Sequence, residues 1–517
     1  MADTILIAHA TMTNSLSAST EGLTIVDRAR KRYGWTKTST ACWWEDAHTS
    51  RATLRRFWRG ERIQKDAFIS ICQAVGISDW QAIAQFPEHL NLNLPELPSP
   101  LIDWDEAPDL DHFYGRTQSL NQLEEWITTD NCKLVVIVGM GGIGKTALTL
   151  ALCDRIQSEF DCLLWRSLAY QPSLLTLLDS ILNPFEPTVI QDIHSGIRQL
   201  RHHLQQRRCL LVLDGLDSVL HKQDDIEDYS KLLQSLSLNR HQGCILITSR
   251  EQLPGFNAIA ANSKWVRCLT LEGLEQADAM ALLQAGGCTG KEQGLSALCQ
   301  LYRGNPLALK TIIPLIQSIF AGNVNAFRYQ NTIVVGDRLE ALLNQQFDRL
   351  SESERSIAYW LAIWQEPISL CRLQSHLLYT SDPGTVLTEL AALEKRSLLE
   401  KRFSADTPSF TLQPMVMKVV TDRLIEQAVR EMNQVVQSED ISHLHVLRTH
   451  WLMRPGTDDI AGDRILCQLQ EQLFRVYSNS LSQTLLQILF RLQDHSPQVV
   501  GYARCNLTAL VKKLDLA

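Results

Sequence analysis

The stretch "KLVVIVGMGGIGKTALTLALCDRI", residues 133–156, decides the fold class of this 517-residue chain. Residues 134–138 form an apolar run rich in β-branched side chains, which predicts a buried parallel strand. Residues 139–146 fit the pattern G-x-x-x-x-G-K-[ST], and the residues after them have helical periodicity. A strand, a glycine loop and a helix in this order predict a phosphate-binding loop.

The chemistry of this loop follows from its residue types. Glycines let the backbone approach a phosphate without Cβ clashes, and the N-terminus of the next helix adds a favourable dipole. We expect Lys145 to reach the β- and γ-phosphates and Thr146 to bind Mg²⁺. The alternative is a glycine turn that binds nothing. The candidate nucleotide-binding residues of the loop are Gly139, Gly141, Gly142, Ile143, Gly144, Lys145, Thr146 and Ala147.

Two further apolar runs end in polar residues. The run at 209–213 ends at Asp214, a candidate Mg²⁺ ligand, and Asp217 follows three residues later. Asp217 is expected either to orient or deprotonate an attacking water or to cap the next helix. The stretch "GCILITSRE" (243–251) ends in Arg250, which either senses a γ-phosphate or lies on a surface loop. With Lys145, these three residues are the candidate catalytic set.

The composition restricts the class of protein. The chain is 45% hydrophobic and 21% charged with a net charge of −8, values ordinary for a globular protein. Its 13 cysteines include no C-x-x-C pair, which is typical of reduced, mostly buried thiols in a cytoplasmic protein. No apolar run approaches the ~18 residues that a membrane span needs. We therefore expect no membrane partner.

Changes in composition divide the chain into five blocks. We predict a multidomain α/β plus α architecture, in which a mainly parallel sheet carries the phosphate loop and helical segments lie on both sides. The blocks are a loose tail (1–19), a helical module (20–90), a proline-rich acidic linker (91–112), the nucleotide-binding domain (113–265) and an almost entirely helical remainder (266–517).

Two further motifs carry a family resemblance. "FYGRTQSLNQLEEWI" (113–127) precedes the phosphate loop, and "LYRGNPLALKTI" (301–312) follows the Arg250 strand. Together with the three elements above, and in the same order, they resemble the NB-ARC branch of the STAND nucleotide-switch ATPases. The resemblance covers residues 113–430 and includes cyanobacterial NB-ARC proteins with a helix-turn-helix-like N-terminal module.

The resemblance implies several roles. Tyr114, Gly115 and Arg116 would border the adenine of ATP or ADP, and Pro306 would lie against the base. The sheet order would be 5-1-4-3-2, followed by a helical domain (266–340) and a winged-helix domain (341–430) with "SLLEKRF" and "SFTLQP" as its hairpin. A C-terminal helical domain (431–517) would complete the chain. Many relatives carry a Met-His-Asp motif after this hairpin, whose histidine contacts ADP. Here Gln413 stands at that position, able to donate a hydrogen bond but not to carry charge.

The helical module at 20–90 is strongly basic. Eleven Lys/Arg face five Asp/Glu between residues 27 and 66, and the layout resembles phage-repressor-type helix-turn-helix domains. A DNA contact, a protein adaptor face and a purely structural cap all remain open. Tryptophans 43, 44 and 58 are expected in the core. If the module binds DNA, the residues expected to face the groove are Thr49, Ser50, Arg51 and Arg55, and those expected near phosphates are Arg56, Arg59 and Arg62.

These patterns favour a nucleotide-controlled molecular switch in signal transduction or a defence-like response. The resemblance implies an ADP-bound closed form, an ATP·Mg²⁺-bound open form that assembles into a homo-oligomer, and slow ATP hydrolysis. Two alternatives are an ATPase-regulated DNA-binding transcription regulator and a non-catalytic ADP-bound scaffold. The C-terminal segment resembles the helical stretch that precedes β-propeller or pentapeptide repeats in relatives, so we expect it to be a docking platform for an unidentified protein partner.

Overall fold

The chain forms two compact units, Met1–Ser99 and Pro100–Ala517. Each has its own hydrophobic core. Within the described part, no helix combines the length and apolarity needed to cross a membrane. The structure is a computed structural model that describes residues 15–37, 40–77, 80, 83–85, 101–104, 106–109, 112–185, 190–220, 223–252, 255–256, 260, 263–330, 332–377, 382–404, 407–453 and 460–515.

The first unit packs helices around a small antiparallel sheet of order β2-β1-β3. Trp43 and Phe57 are fully buried at its centre, as expected for core aromatic residues. Trp44 and Trp58 are half-buried against the same core. The elements are β1 (Ser15–Ala18), α1 (Thr20–Arg32), α2 (Ala41–Asp46), α3 (Arg51–Trp58), β2 (Ile63–Gln64), α4 (Lys65–Ala74) and β3 (Ala84–Gln85).

The second unit is built on a parallel six-stranded sheet of order β4-β6-β7-β8-β5-β9. Read from β9, this is the predicted order 5-1-4-3-2 with β4 added at the far edge. The prediction of the fold class is therefore confirmed. The strands are β4 (Leu101–Asp103), β5 (Leu134–Val138), β6 (Cys162–Ser167), β7 (Cys209–Asp214), β8 (Cys244–Ser249) and β9 (Val266–Thr270).

Helices cover both faces of this sheet. Alternate residues of β5 enter two separate cores: Val136 packs with one set of helices, and Val135 and Ile137 pack with the other. Burial on both faces explains why the strands read as continuous apolar runs. The flanking helices are α5 (Thr117–Glu124), continued by a π-helical turn (Glu125–Thr129), α6 (Lys145–Ile156), α7 (Leu174–Leu182), α8 (Ile193–Gln206) and α9 (Gln223–Leu238).

A helical domain and a winged helix follow the sheet. The hairpin strands β11 and β12 pair antiparallel from Leu399–Leu412 to Ser404–Thr407, so the predicted wing hairpin is present. The elements are α10 (Gln276–Ala285), α11 (Glu292–Leu301), α12 (Pro306–Phe320), α13 (Val324–Arg328), α14 (Asp337–Asp348), α15 (Glu352–Trp364), β10 (Ile368–Ser369), α16 (Leu370–His376), α17 (Pro383–Lys395), β11 (Leu399–Ser404), β12 (Thr407–Leu412) and α18 (Pro414–Ser438).

The C-terminal helices extend the same core rather than forming a separate one. A continuous cluster of buried side chains runs from Met140 in the phosphate loop to Leu510 near the end of the described chain. The helical domain, the winged helix and the C-terminal helices therefore pack as one body. The last elements are α19 (His445–Thr449), α20 (Ile460–Tyr477), α21 (Leu481–Arg491), α22 (Pro497–Val500) and α23 (Ala503–Asp515).

Three predicted segment limits are wrong. The loose tail (1–19) includes β1, which holds the first sheet together by pairing with both β2 and β3. The linker (91–112) includes β4, which pairs with β6 in parallel. This pairing gives hydrogen-bond partners to backbone groups of β6 that would otherwise lie at the edge of the sheet. The predicted limit at residue 265 assigns β9 to the helical domain, although β9 pairs with β5 along its whole length. Residues 1–14 and 86–100 lie outside the described residues, and the other limits stay predictions.

Candidate functional site

The phosphate loop connects β5 to α6 through backbone conformations that suit glycine. Gly142 has φ +76° and Gly144 has φ +99°, both in the left-handed region that side chains with a Cβ rarely adopt. A Cβ on Gly139 would lie 2.6 Å from the carbonyl oxygen of Leu271. The loop therefore forms a narrow backbone cradle of the kind that the sequence motif predicts. Ile143 is buried beside it, and Ala147 lies in the first turn of α6.

Lys145 is the first residue of α6 and lies inside the loop. Its ammonium donates hydrogen bonds to the carbonyl oxygens of Gly139 at 2.7 Å and Met140 at 3.0 Å. Burial lowers the pKa of Lys145 to about 8, against the opposing charge of Asp217. A buried cation surrounded by loop backbone is suited to an incoming phosphate. Its role in nucleotide binding stays a prediction.

Thr146 and Asp214 meet at the carboxyl ends of the central strands. The Thr146 hydroxyl donates to Asp214 Oδ1 at 2.9 Å, and the Thr248 hydroxyl donates to the same oxygen at 2.6 Å. Burial raises the pKa of Asp214, against the hydrogen bonds from Thr248 and Thr146. Hydroxyl and carboxylate oxygens are the ligand type that Mg²⁺ prefers. The residues present thus fit a Mg²⁺ ion, with Thr248 as a neighbour that the sequence reasoning missed.

Asp217 binds Arg250 through both of its carboxylate oxygens. Oδ2 accepts from Nε of Arg250 at 2.6 Å, and Oδ1 accepts from the backbone N–H of the same residue at 2.8 Å. The Arg250 side chain is 12% exposed and that of Asp217 is 1% exposed. The alternative of Arg250 as a surface residue is therefore wrong. The carboxylate of Asp217 holds the end of β8, which leaves the helix-capping alternative without support.

The aromatic-x-G-R motif contacts the phosphate loop directly. Gly115 and Arg116 both have positive φ, at +63° and +67°. The Arg116 guanidinium donates to the carbonyl oxygens of Ile143 at 3.0 Å and Gly273 at 3.1 Å. Burial lowers its pKa, while the nearby Asp278 opposes that effect. Tyr114 is half-buried against the core of the helical domain. The motif thus joins the sheet to the helical domain beside the loop.

The start of α12 closes over the phosphate loop. The Asn305 side chain accepts from the backbone N–H of Ala308 at 3.1 Å and donates to the carbonyl oxygen of Gly141 at 3.0 Å. Asn305 is fully buried, and the ring of Pro306 packs near Gly144. Sequence reasoning named Pro306 and missed Asn305. An asparagine directly before a helix-starting proline is a helix-capping signal that identifies it.

The residue after Arg250 connects the sheet to two helices of the winged-helix domain. Glu251 accepts from Arg349 at the end of α14, at 2.9 Å, and from Arg396 at the end of α17, at 2.8 Å. Gln252 donates its backbone N–H to the carbonyl oxygen of Lys395 at 2.8 Å. We call Glu251, Arg349 and Arg396 the latch. Because its members lie 98 and 47 residues apart in sequence, no local pattern identified it.

Gln413 precedes α18 and is half-buried, and its side chain does not cap that helix. The wing is held elsewhere: Glu400 on β11 accepts two hydrogen bonds from the Arg303 guanidinium, at 2.7 and 2.9 Å. The expected contact of Gln413 with a nucleotide stays a prediction. The Arg303–Glu400 pair connects the helical domain to the winged helix.

The candidate DNA-contacting residues lie in the first unit around α3. The Ser50 hydroxyl accepts from the backbone N–H of Thr53 at 3.1 Å and caps this helix. Leu54 and Phe57 face the core. Arg56 forms an ion pair with Glu61 at 3.2 Å. The exposed side of α3 carries Arg51, Arg55 and Arg56, with Arg59 exposed directly after it, and Ser50 exposed and Thr49 half-buried before it.

Comparison with known proteins agrees with this geometry. A model of the NB-ARC domain family matches residues 116–293. A WD repeat-containing protein of Nostoc sp. is 31% identical, over 96% of this chain and 45% of the relative. A disease resistance protein of Oryza sativa is 32% identical, over 20% of this chain and 10% of the relative. The chain thus spans less than half the length of these curated relatives.

Among solved structures, the chain is similar to a Walker-type ATPase of Pyrococcus abyssi, with a TM-score of 0.45 and 12% identity, over 60% of this chain and 96% of that one. The family match covers the phosphate loop, the Asp214 strand and the Arg250 strand. Residues 116–293 of this chain therefore belong to the NB-ARC domain family.

Proposed function

We propose that this chain is a switch whose domain arrangement depends on whether ADP or ATP is bound. The observation that carries the proposal is the position of Arg250. Asp217 fixes Arg250 at the end of β8, and the next residue, Glu251, binds two arginines of the winged-helix domain through the latch. A change of charge beside Arg250 therefore acts one peptide away from the contacts that hold the winged-helix domain on the sheet.

The residues of the site bind different parts of the nucleotide in this proposal. Lys145 and the backbone N–H groups of the loop bind the phosphates, while Thr146 and Asp214 hold Mg²⁺. Gly115, Arg116 and Pro306 border the base, and Gln413 donates a hydrogen bond to the bound nucleotide. The γ-phosphate of ATP supplies the charge that distinguishes the two states. Asp214, Asp217 and Arg250 support slow hydrolysis, which returns the protein to the ADP form.

The switch has two arrangements with different affinities for the two nucleotides. A ligand shifts such an equilibrium only by its differential affinity for the two states. With ADP, the latch and the Arg303–Glu400 pair hold the closed arrangement. With ATP·Mg²⁺, the winged helix separates and the exposed faces assemble into a homo-oligomer. The similarity to a disease resistance protein supports a role in signalling or in a defence-like response, with an effector protein as partner.

The alternative is an ADP-bound scaffold without turnover. Nucleotide release and ATPase assays on the wild type and on Lys145→Ala separate the two. A switch gives slow turnover that Lys145→Ala abolishes, together with a loss of retained ADP. Absence of turnover at every protein concentration, with ADP retained, would establish the scaffold. Lys310→Ala, an exposed lysine on α12, is the matched control because it leaves the loop unchanged.

The second candidate function is DNA binding through the first unit. It is favoured by three exposed arginines on α3 and by Arg59 directly after it, because α3 is a Ser50-capped helix in a helix-turn-helix layout. Fluorescence anisotropy of the full chain with duplex DNA at several salt concentrations tests it. Replacing Arg56 and Arg59 with Gln is expected to lower the salt slope by about 1 for each lost phosphate contact. The double control Arg198→Gln and Arg240→Gln removes two exposed arginines of the other unit. Equal binding by both double variants would exclude α3 as the contact.

A further inference from the structure

A cleft of about 680 Å³ lies where three parts of the second unit meet. It is lined by α11 and α13 of the helical domain, by α18 of the winged helix and by α20 of the C-terminal helices. This volume falls within the range of about 300–1,000 Å³ that is usual for small-molecule sites. None of the residues discussed for the nucleotide lines the cleft. It is therefore a site of its own.

The charges around the cleft are all positive. Its charged lining residues are Arg328, Lys418 and Arg464. Lys418 is paired with Asp422 one turn along α18. Among the side chains that the structure describes, which leave out residues 454–463, no carboxylate forms an ion pair with Arg328 or Arg464. Two guanidinium groups at one cleft are an arrangement that binds a compact dianion.

A buried hydroxyl gives independent evidence for a ligand. Thr421 lines the cleft and is 6% exposed. Its hydroxyl has no hydrogen-bond partner among the described residues, although a threonine inside a helix usually bonds to the carbonyl four residues earlier. A buried polar group without a partner costs free energy. A ligand with acceptor oxygens would supply the missing partner.

The rest of the lining suits an organic body rather than a bare ion. Phe327, Met417 and Ile465 are apolar members of the lining. A phosphate monoester carries about −1.5 to −2 charges at neutral pH, which matches the two arginines. We propose that this cleft binds a small phosphorylated organic molecule, with Arg328, Arg464 and the Thr421 hydroxyl on the phosphate and the apolar residues against the organic part.

Bound there, such a molecule contacts elements before, within and after the winged helix. It therefore stabilises their packing by mass action, because it binds the assembled cleft and not the separated helices. The site provides an input to the chain that is distinct from the nucleotide. Arg475 lies on the same helix as Arg464, is exposed and does not line the cleft, so Arg475→Gln is a matched control.

Pyridoxal 5′-phosphate is a suitable probe for the full-length protein, with phosphate-free pyridoxal as its analogue. The aldehyde condenses with the Lys418 amine with loss of water, and borohydride then reduces the imine to a stable secondary amine. Peptide mass spectrometry measures Lys418 separately from Lys145, so a failure of nucleotide binding does not affect the result. The exposed Lys310 provides an internal reference for non-specific labelling.

We expect pyridoxal 5′-phosphate to label Lys418 about tenfold faster than pyridoxal does. This factor corresponds to one charge-assisted hydrogen bond to the phosphate, which pyridoxal cannot form. Arg328→Gln with Arg464→Gln should reduce the rate to that of pyridoxal, and Thr421→Val should lower it, while Arg475→Gln leaves it unchanged. Equal rates for the two probes in the wild type would overturn the proposal. So would a double variant that labels as fast as the wild type.

Discussion

Asp217 Oδ2 lies 2.6 Å from Nε of Arg250, and Asp217 Oδ1 lies 2.8 Å from the backbone nitrogen of the same residue. One buried carboxylate thus fixes both the side chain and the peptide of the arginine. Ser397 of the winged helix donates its hydroxyl to the Arg250 carbonyl oxygen at 3.2 Å, and Glu251 begins the latch. The end of β8 is therefore a joint, a point of contact between the sheet and the winged helix.

Loss of the Asp217 charge should destabilise this joint. Asp217→Asn keeps the shape of the side chain but leaves a largely buried arginine without its anion, which costs about 3 kcal/mol. Denaturant unfolding of the second unit measures the change. The control is Asp228→Asn, whose partner Lys231 is half exposed, and it should cost no more than about 1 kcal/mol. Equal losses in the two variants would show that the Asp217–Arg250 pair is not structurally important.

Loss of the latch should loosen the closed arrangement without unfolding it. Glu251→Gln removes the charge from both of its hydrogen bonds to arginine, and release of a fluorescent ADP analogue should become about tenfold faster. Stopped-flow release measures this rate. Glu439→Gln removes the partner of Arg491 in a more exposed pair and is the control. An unchanged release rate in Glu251→Gln would mean that the latch does not restrain the nucleotide.

The lowered pKa of Lys145 predicts a pH dependence of ADP binding. Only the charged amine attracts phosphate, and burial lowers the pKa in the free protein to about 8. Below that pH the amine is already protonated and the affinity is constant. Above it each bound ADP takes up a proton, so the affinity falls by up to about tenfold per pH unit. Calorimetry in buffers with different ionisation enthalpies measures the proton uptake.

Lys145→Arg provides the control for this experiment because arginine stays charged throughout the range. Its ADP affinity, even if weaker at neutral pH, should vary little between about pH 7 and pH 9.5. A wild-type protein that takes up no protons on binding ADP in this range would contradict the assignment of Lys145 to the phosphates.

His450 predicts acid sensitivity of the contact between α15 and α19. Its ring is buried, with Nδ1 2.8 Å from the Thr449 hydroxyl and Nε2 3.1 Å from the Ser356 carbonyl oxygen. Burial lowers its pKa to about 4. Below about pH 6.5 the unfolded chain binds a proton that the folded one does not. The free energy of unfolding should therefore fall by about 3 kcal/mol as the pH drops to about 4.

Thermal unfolding across this pH range, compared between wild type and His450→Gln, tests the prediction. The variant is less stable at neutral pH but should lose less stability on acidification. His495→Gln, at an exposed position, should behave as the wild type does. Parallel pH profiles for wild type and His450→Gln would contradict the assignment.

The sequence predicted the sheet and loop well because both have local signals. Glycines at 142 and 144 stand where the backbone requires positive φ, and the apolar runs ending at Asp214 and Ser249 are strands buried on both faces. Their side-by-side order followed from the family resemblance. The strand β4 was missed because a three-residue edge strand within a proline-rich acidic stretch has no periodicity to detect.

The partners of the site residues were less predictable. Asp217 was identified as a candidate, but its binding to Arg250 depends on the packing of two strand ends. Arg349 and Arg396 bind Glu251 from helices far along the chain. Their local sequence carries no signal that distinguishes them from surface arginines. Such contacts arise from tertiary packing, so the spacing of residues within one segment does not predict them.

In the proposed switch, the nucleotide controls assembly through the closed arrangement. Mass photometry of the full chain, once with ADP and once with ATP·Mg²⁺ and with a Lys145→Ala control, tests this control by the nucleotide. We predict the mass of a single chain with ADP, a multiple of that mass with ATP·Mg²⁺, and a single chain in both conditions for Lys145→Ala. The same mass for the wild type with either nucleotide would contradict the account.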